Sequence, residues 1–402
     1  MTAFIAAVHR AVHRGDPDAV THVKIPNEMT VQGSRGKSNR PQKISRHWQG
    51  IDRWALAQLL DLHGTDTRPA PPAEGYSFLW RYPGMAYDLQ RSLDPSKPIY
   101  DSEWHGVQTV FYQNGDLPGA YLNAALWFSY LHGMDANMMW WWSRSGTEPE
   151  AKWFEGSLLT QPQLLDAFGR NSIEVQRHAG LITAFQDDVP RVRLLFSKPS
   201  AILDLNYLDT QEAVYEACAW LGVTLGFVTE EMLLGGASDF DLLLVPGARH
   251  GSPGVREAVS RLAGSGVTVG FVGEACLTLD PHGTPLSDAV PVEARELDGG
   301  EEQLSALLGE AGLERRVRFV GPDGRTSRPV ECRAVRHEGR WYGAMIGLNT
   351  EPAAIRVLLG GSPAHCKSVL TGDEFSGSIR VEPWDVHLFE IRSTGPSGDR
   401  AR

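Results

Sequence analysis

The chain has 402 residues, 42% apolar and 22% charged, with 38 Lys and Arg against 49 Asp and Glu for a formal net charge of −11. That length exceeds one ordinary core, and the composition is that of a globular protein. The acidic balance excludes a nucleic-acid partner, which wants a basic face, and no apolar run reaches the roughly 18–20 residues that span a bilayer.

Taken in order, Thr2 to Arg14 carries Phe4, Ile5, Val8 and Val12 at helical spacing. Met1 to Val12 is too short, and too interrupted by His9, Arg10 and His13, for a signal peptide. Thr21 to Ile25 alternates as a strand. Gln32 to Gln42 reads as a loop, Ile51 to Asp61 as a helix and Leu60 to Thr65 as a strand. Pro83 to Leu93 is helical and Asp94-Pro95-Ser96 stops it. Pro98 to Ser102 is a short strand followed by Glu103-Trp104-His105. Leu117 to Leu131 is an apolar helix, and Gly133 to Trp142 a further apolar strand. Alternating strands and helices imply a parallel α/β sheet, whose functional side chains gather at the C-terminal strand ends.

Gln161 to Phe185 reads as one helix outside this layer. A second α/β unit begins at Val192 to Phe196. It continues through helices Thr210 to Leu221 and Pro253 to Ser265, with strands Val223 to Val228, Asp241 to Ala248 and Val267 to Val272. From about Arg325 the pattern is short alternating strands: Val330 to Val335, Arg340 to Leu348, Ala353 to Leu359 and Ile379 to Ile391. Ser393 to Arg402 is a polar, Gly-rich tail expected to be disordered.

Nine of the 12 tryptophans precede residue 160, so a ligand is expected in the first third, Trp offering a flat face. A carboxylate ending a strand among such aromatics suits glycosidic bond chemistry. The four cysteines, Cys218, Cys276, Cys332 and Cys366, form no CxxC pair and fit buried thiols of a reducing compartment. The expected location is cytoplasmic, with neither metal nor cofactor.

The order of units, with Lys97 to Gly106, Gly133 to Arg144 and Asp241 to Gly247 as its sharpest pieces, resembles the β-galactosidases of glycoside hydrolase family 42. The resemblance implies an α/β architecture in three parts. Residues 1–189 would be the C-terminal half of a (β/α)8 TIM barrel, strands five to eight. Residues 190–324 would be a flavodoxin-like, glutamine-amidotransferase-like trimerisation domain, and 325–392 a small antiparallel β-domain. It implies a retaining hydrolase of terminal β-galactosides that works by double displacement, a carbohydrate substrate and a homo-oligomer, a trimer.

Retaining glycosidases need two carboxyl groups about 5–5.5 Å apart. Glu103 is the candidate nucleophile, at the end of the seventh barrel strand. Strict alternation puts Tyr100 on the opposite side, leaving His105 as the residue that orients it. Asn27-Glu28 matches the family's acid/base pair, but the strand count makes Thr21 to Ile25 the fifth strand rather than the fourth. Glu28 is thus either the acid/base or a rim residue, and the count favours a chain that lacks strands one to four and the true acid/base. Trp104, exposed after its strand, and Trp140 and Trp142, alternating in theirs, are candidate sugar platforms. Asp66, Arg68 and Arg144 are candidate partners for sugar hydroxyls. Two other functions stay open. One is a non-catalytic carbohydrate-binding or oligomerisation remnant. The other is an amidotransferase acting through Cys276 with His250 or His282 as base, against Cys276 as a small buried apolar residue.

Overall fold

The structure is a computed structural model and describes residues 1–26, 52–70, 75–107, 117–140, 142, 158–204, 206–286, 295–297, 299–326 and 328–393. The first layer alternates as expected: α1 (Thr2–Gly15), β1 (Ile25–Pro26), α2 (Arg53–Leu59), β2 (His63–Asp66), α3 (Arg81–Leu93), β3 (Ile99–Trp104), α4 (Gly119–Leu131) and β4 (Met134–Met139). Its four strands pair in sequence order, all parallel. Several boundaries differ from expectation, and β3 runs on to Trp104, past the expected end at Ser102. Of the Thr21–Ile25 run only Ile25 joins the ladder, together with Pro26 after it, and β4 ends at Met139, so Trp140 and Trp142 lie past it. Gly64 lets β2 approach the preceding segment: a Cβ there would stand 2.2 Å from the Val23 carbonyl oxygen.

The expected helix over 161–185 is two, α5 (Pro162–Arg177) and α6 (Ala179–Gln186), broken at His178. The second layer comprises β5 (Val192–Phe196), α7 (Lys198–Leu203), α8 (Tyr207–Trp220), β6 (Leu225–Thr229), α9 (Glu230–Leu234), β7 (Leu242–Pro246), α10 (Pro253–Gly264), β8 (Thr268–Val272), β9 (Arg295–Leu297) and α11 (Glu301–Glu310). Its parallel sheet runs β6-β5-β7-β8-β9, the order of a doubly wound fold. Strands covered on both faces read as continuous apolar runs, and Leu242–Pro246 is buried throughout.

The third sheet is antiparallel, in the order β10-β13-β14-β17-β12-β11. Its strands are β10 (Val317–Val320), β11 (Val330–His337), β12 (Arg340–Gly347), β13 (Ala353–Leu359), β14 (Ser362–Ser368), β15 (Glu374–Ser376), β16 (Ser378–Val381) and β17 (Val386–Ser393). The expected strand Ile379–Ile391 is β16 and β17, separated where Trp384 turns the backbone to a φ of 65°. The expected tail lies outside the described residues, apart from Ser393.

One apolar core spans all three sheets, from Trp80, Tyr87, Trp104 and Trp127 through Tyr215 and Trp220 to Val335 and Leu348. Three of the tryptophans of the first third, Trp80, Trp104 and Trp127, are therefore core, each at most 1% exposed. A buried polar cluster crosses the same junction. His132, after α4, pairs through Nδ1 with Asp88 of α3 at 3.0 Å and through Nε2 with Glu331 of β11 at 2.7 Å. Tyr215 of α8 donates to the other Asp88 oxygen at 2.6 Å. The two carboxylates outweigh burial and raise the imidazole pKa to about 9. Among the described residues no helix is long and apolar enough to cross a membrane.

Candidate active site

β3 organises the site through an irregularity. Asp101 pairs with Asn137 of β4, and Trp104 with Met139, so three steps on β3 match two on β4. This is a β-bulge, with one extra residue on one strand. Asp101 accepts from Tyr87 of α3 at 2.7 Å, and Trp104 Nε1 donates to Ser129 of α4 at 3.3 Å. Both therefore face the helices although they are three residues apart, which strict alternation forbids. The bulge reverses the parity and turns Glu103 to the other face. Trp104 is thus no sugar platform: it is fully buried, and Gly106 is required beside it because a Cβ would come within 1.7 Å of its ring.

Glu103 lies at the C-terminal strand ends with its side chain 15% exposed. His105 Nε2 stands 3.2 Å from Glu103 Oε1 and 3.0 Å from Asp66 Oδ1. The expected pairing of Glu103 with His105 is present, and Asp66 joins it. His105 is held by its backbone N–H, which donates to the Thr67 carbonyl at 2.9 Å, and its ring lies 5.8 Å from that of Trp140. The Trp140 N–H extends the β3–β4 ladder to the Trp104 carbonyl at 2.9 Å. Trp140 therefore remains at the site. Trp142 is exposed and packs edge-on against Phe168 of α5.

Two groups were not singled out by the sequence. Lys24, just before β1, donates its ammonium to Glu103 Oε2 and stands 3.5 Å from Asp66 Oδ2. Its signal was a lone cation in an alternating run. The second is Asp101, 0% exposed, which accepts from Thr67 Oγ1 at 2.5 Å as well as from Tyr87. Burial overrides these hydrogen bonds and pushes its carboxyl up to about 7. A second carboxylate inside the same strand was the available sign.

Burial also raises Asp66, but His105, Arg68 and Lys24 outweigh it and hold the carboxyl below its ordinary range. Lys24 is lowered by burial and raised more by Glu103 and Asp66, so its ammonium persists to higher pH than usual. Arg68 is exposed on the rim. Asp66, Glu103 and His105 each bring one metal-ligating atom within 4.8 Å of the others. The Lys24 ammonium already lies against both carboxylates and supplies the positive charge there. Glu28 and Arg144 lie outside the described residues.

Cys276 is buried and directs its thiol toward the Val245 carbonyl oxygen at 3.4 Å, and burial pushes its pKa up to about 11. Its hydrogen bonds among the described residues go to backbone carbonyls, and His250 Nδ1 is bonded to the Asp280 carbonyl. A buried thiol with a raised pKa is a poor nucleophile, which favours the small buried apolar reading.

No family model and no curated protein matches the sequence. Solved structures do match. An exo-carrageenase of family GH42 from Bacteroides ovatus aligns with a TM-score of 0.83 at 20% identity, over 98% of this chain and 55% of that one. A β-galactosidase from Rahnella sp. R3 aligns with a TM-score of 0.69 at 14% identity, over 97% and 66%. A GH42 β-galactosidase from G. stearothermophilus gives 0.66 at 15% identity, over 86% and 61%. The chain therefore spans between half and two thirds of the length of these proteins, and it has a fold like theirs.

Proposed function

We propose that this chain carries the nucleophile side of a retaining glycoside hydrolase site that acts on terminal β-galactosides. The observation that carries the reading is the carboxylate of Glu103, turned by the β3 bulge to the C-terminal ends of a parallel sheet and held between His105 and Lys24. Lys24 sets a positive charge against it, and His105 fixes its orientation. In the first displacement a Glu103 oxygen bonds to the anomeric carbon while the leaving oxygen departs with a proton from an acid. In the second, water activated by the same residue, now a base, releases the sugar and restores the carboxylate. Asp66 and Arg68 offer hydrogen bonds to sugar hydroxyls, and Trp140 an aromatic face beside His105.

The four strands correspond to strands five to eight of an eight-stranded barrel, followed by the amidotransferase-like trimerisation unit and the β-domain that the resemblance implies. On that reading the acid/base lies outside these strands. The 402 residues alone are then weakly active or inactive on substrates whose leaving group needs protonation.

The test exploits that asymmetry. A dinitrophenyl β-galactoside needs little acid assistance, and azide can replace water as the second nucleophile. Slow release of dinitrophenolate, stimulated by azide with formation of galactosyl azide and abolished in Glu103→Gln, supports the reading. Equal activity of wild type and Glu103→Gln refutes it. Galactoside binding without turnover, unaffected by Glu103→Gln, establishes the non-catalytic carbohydrate-binding alternative.

A further inference from the structure

α1 is a 14-residue helix without a buried residue. A helix of that length is marginal in water on its own, so what ties it down is informative. His9 and His13 stand four residues apart and share one face, with ring centroids 4.4 Å apart. His13 Nε2 lies 3.1 Å from Asp61 Oδ2, at the entry to β2. His9 Nδ1 lies 2.8 Å from the Thr21 hydroxyl, which donates to the same Asp61 oxygen at 2.7 Å, and the Thr21 backbone N–H donates to it at 2.8 Å. These contacts gather His13, the Thr21 hydroxyl and the Thr21 backbone around one Asp61 oxygen.

We propose that His9, His13 and Asp61 form a binding site for one zinc-class divalent cation, which fastens α1 to the start of β2. The three residues each bring a ligating atom within 4.8 Å of the others. Tetrahedral bonds of about 2.0–2.2 Å put neighbouring donor atoms about 3.3 Å apart, and the His13–Asp61 separation of 3.1 Å already matches. Two imidazoles and one carboxylate select zinc over calcium or magnesium, which want oxygen ligands. His13 and Asp61 are 27% and 36% exposed, so an ion can enter and water can complete the shell. Thr21 orients the ligands from behind. Asp61 precedes β2 and Asp66 closes it, so this site and the Glu103 site lie at opposite ends of the strand.

The experiment uses the full chain without an affinity tag, stripped with a chelator and titrated with zinc chloride, with bound metal counted by elemental analysis. Cobalt substitution reads the coordination. The expected result is one zinc per chain and the intense visible bands of tetrahedral cobalt. Both should weaken about 10-fold or more in His13→Gln, which keeps a hydrogen-bond donor toward Asp61, and disappear in the His9→Ala/His13→Ala pair. His105→Ala separates this site from the Asp66–Glu103–His105 cluster and should leave the zinc in place. The proposal is overturned if the chain binds no zinc, if the double variant binds as wild type does, or if His105→Ala removes the ion. Far-UV circular dichroism confirms that each variant is folded.

Discussion

Replacing His132 by Gln tests whether the three sheets are joined electrostatically. The imidazole pKa is raised from the ordinary 6.5 to about 9 by Asp88 and Glu331 against full burial. At about 1.4 kcal/mol for each pH unit between the two values, the charged form stabilises the fold by about 3 kcal/mol. Because the folded value lies above the unfolded one, that contribution is complete below about pH 6.5 and is lost as pH rises through about 9. An uncharged glutamine also strands two buried carboxylates, a loss of about 3–5 kcal/mol at neutral pH. The assay is urea unfolding at steps between pH 6 and pH 10, followed by tryptophan fluorescence. Wild type should lose stability across the alkaline half of that range and His132→Gln should start lower and stay flatter. Parallel curves for the two proteins would refute the argument, because the raised pKa would then not belong to the folded state alone.

Trp104→Ala should cost about 3–5 kcal/mol, as expected for a fully buried aromatic, and lower the melting temperature. Trp142→Ala should change stability by no more than about 0.5 kcal/mol, since it is exposed, and equal losses in the two would contradict the burial of Trp104. Asp101, raised to about 7 by burial, makes the fold lose stability as pH rises from about 4 to about 7. Asp101→Asn, measured by denaturant unfolding in that window, should remove this slope. Cys276→Ala should leave galactoside hydrolysis unchanged, and a large loss would revive the thiol chemistry.

The sequence announced elements best where one physical cause dominated. Leu242–Pro246 is buried on both faces, and a continuous apolar run followed by glycine can hardly be read otherwise. The order of the first four strands followed from alternation with amphipathic helices in the same way. The site was half legible. Glu103 and His105 were found because a charged residue and an imidazole after an apolar strand are conspicuous, and Asp66 because it closes the neighbouring strand. Trp104 was misassigned because the strand was ended at Ser102, whereas β3 runs on to Trp104 through a bulge set by the register with Met139 of β4, which a single strand does not encode. Lys24 was missed because its partners, Asp66 and Glu103, are 42 and 79 residues away, and local pattern carries no such pairing. The division of Ile379–Ile391 turns on the φ of Trp384, an outlier that a tryptophan does not advertise.

The bulge in β3 has a consequence for how this chain tolerates change. Ser102 lies between Asp101 and Glu103, within the stretch that holds the extra residue. Conservative substitutions there leave the chain length, and hence the side each neighbour faces, untouched. Deleting Ser102 would remove the extra residue and restore regular alternation, with Asp101 and Trp104 still against the helices and Glu103 still on the other face. The extra residue is therefore not what keeps Glu103 and Trp104 on their sides once the strand is shortened, so a Ser102 deletion is the sharper probe of whether the chemistry needs the bulge or only the carboxylate of Glu103.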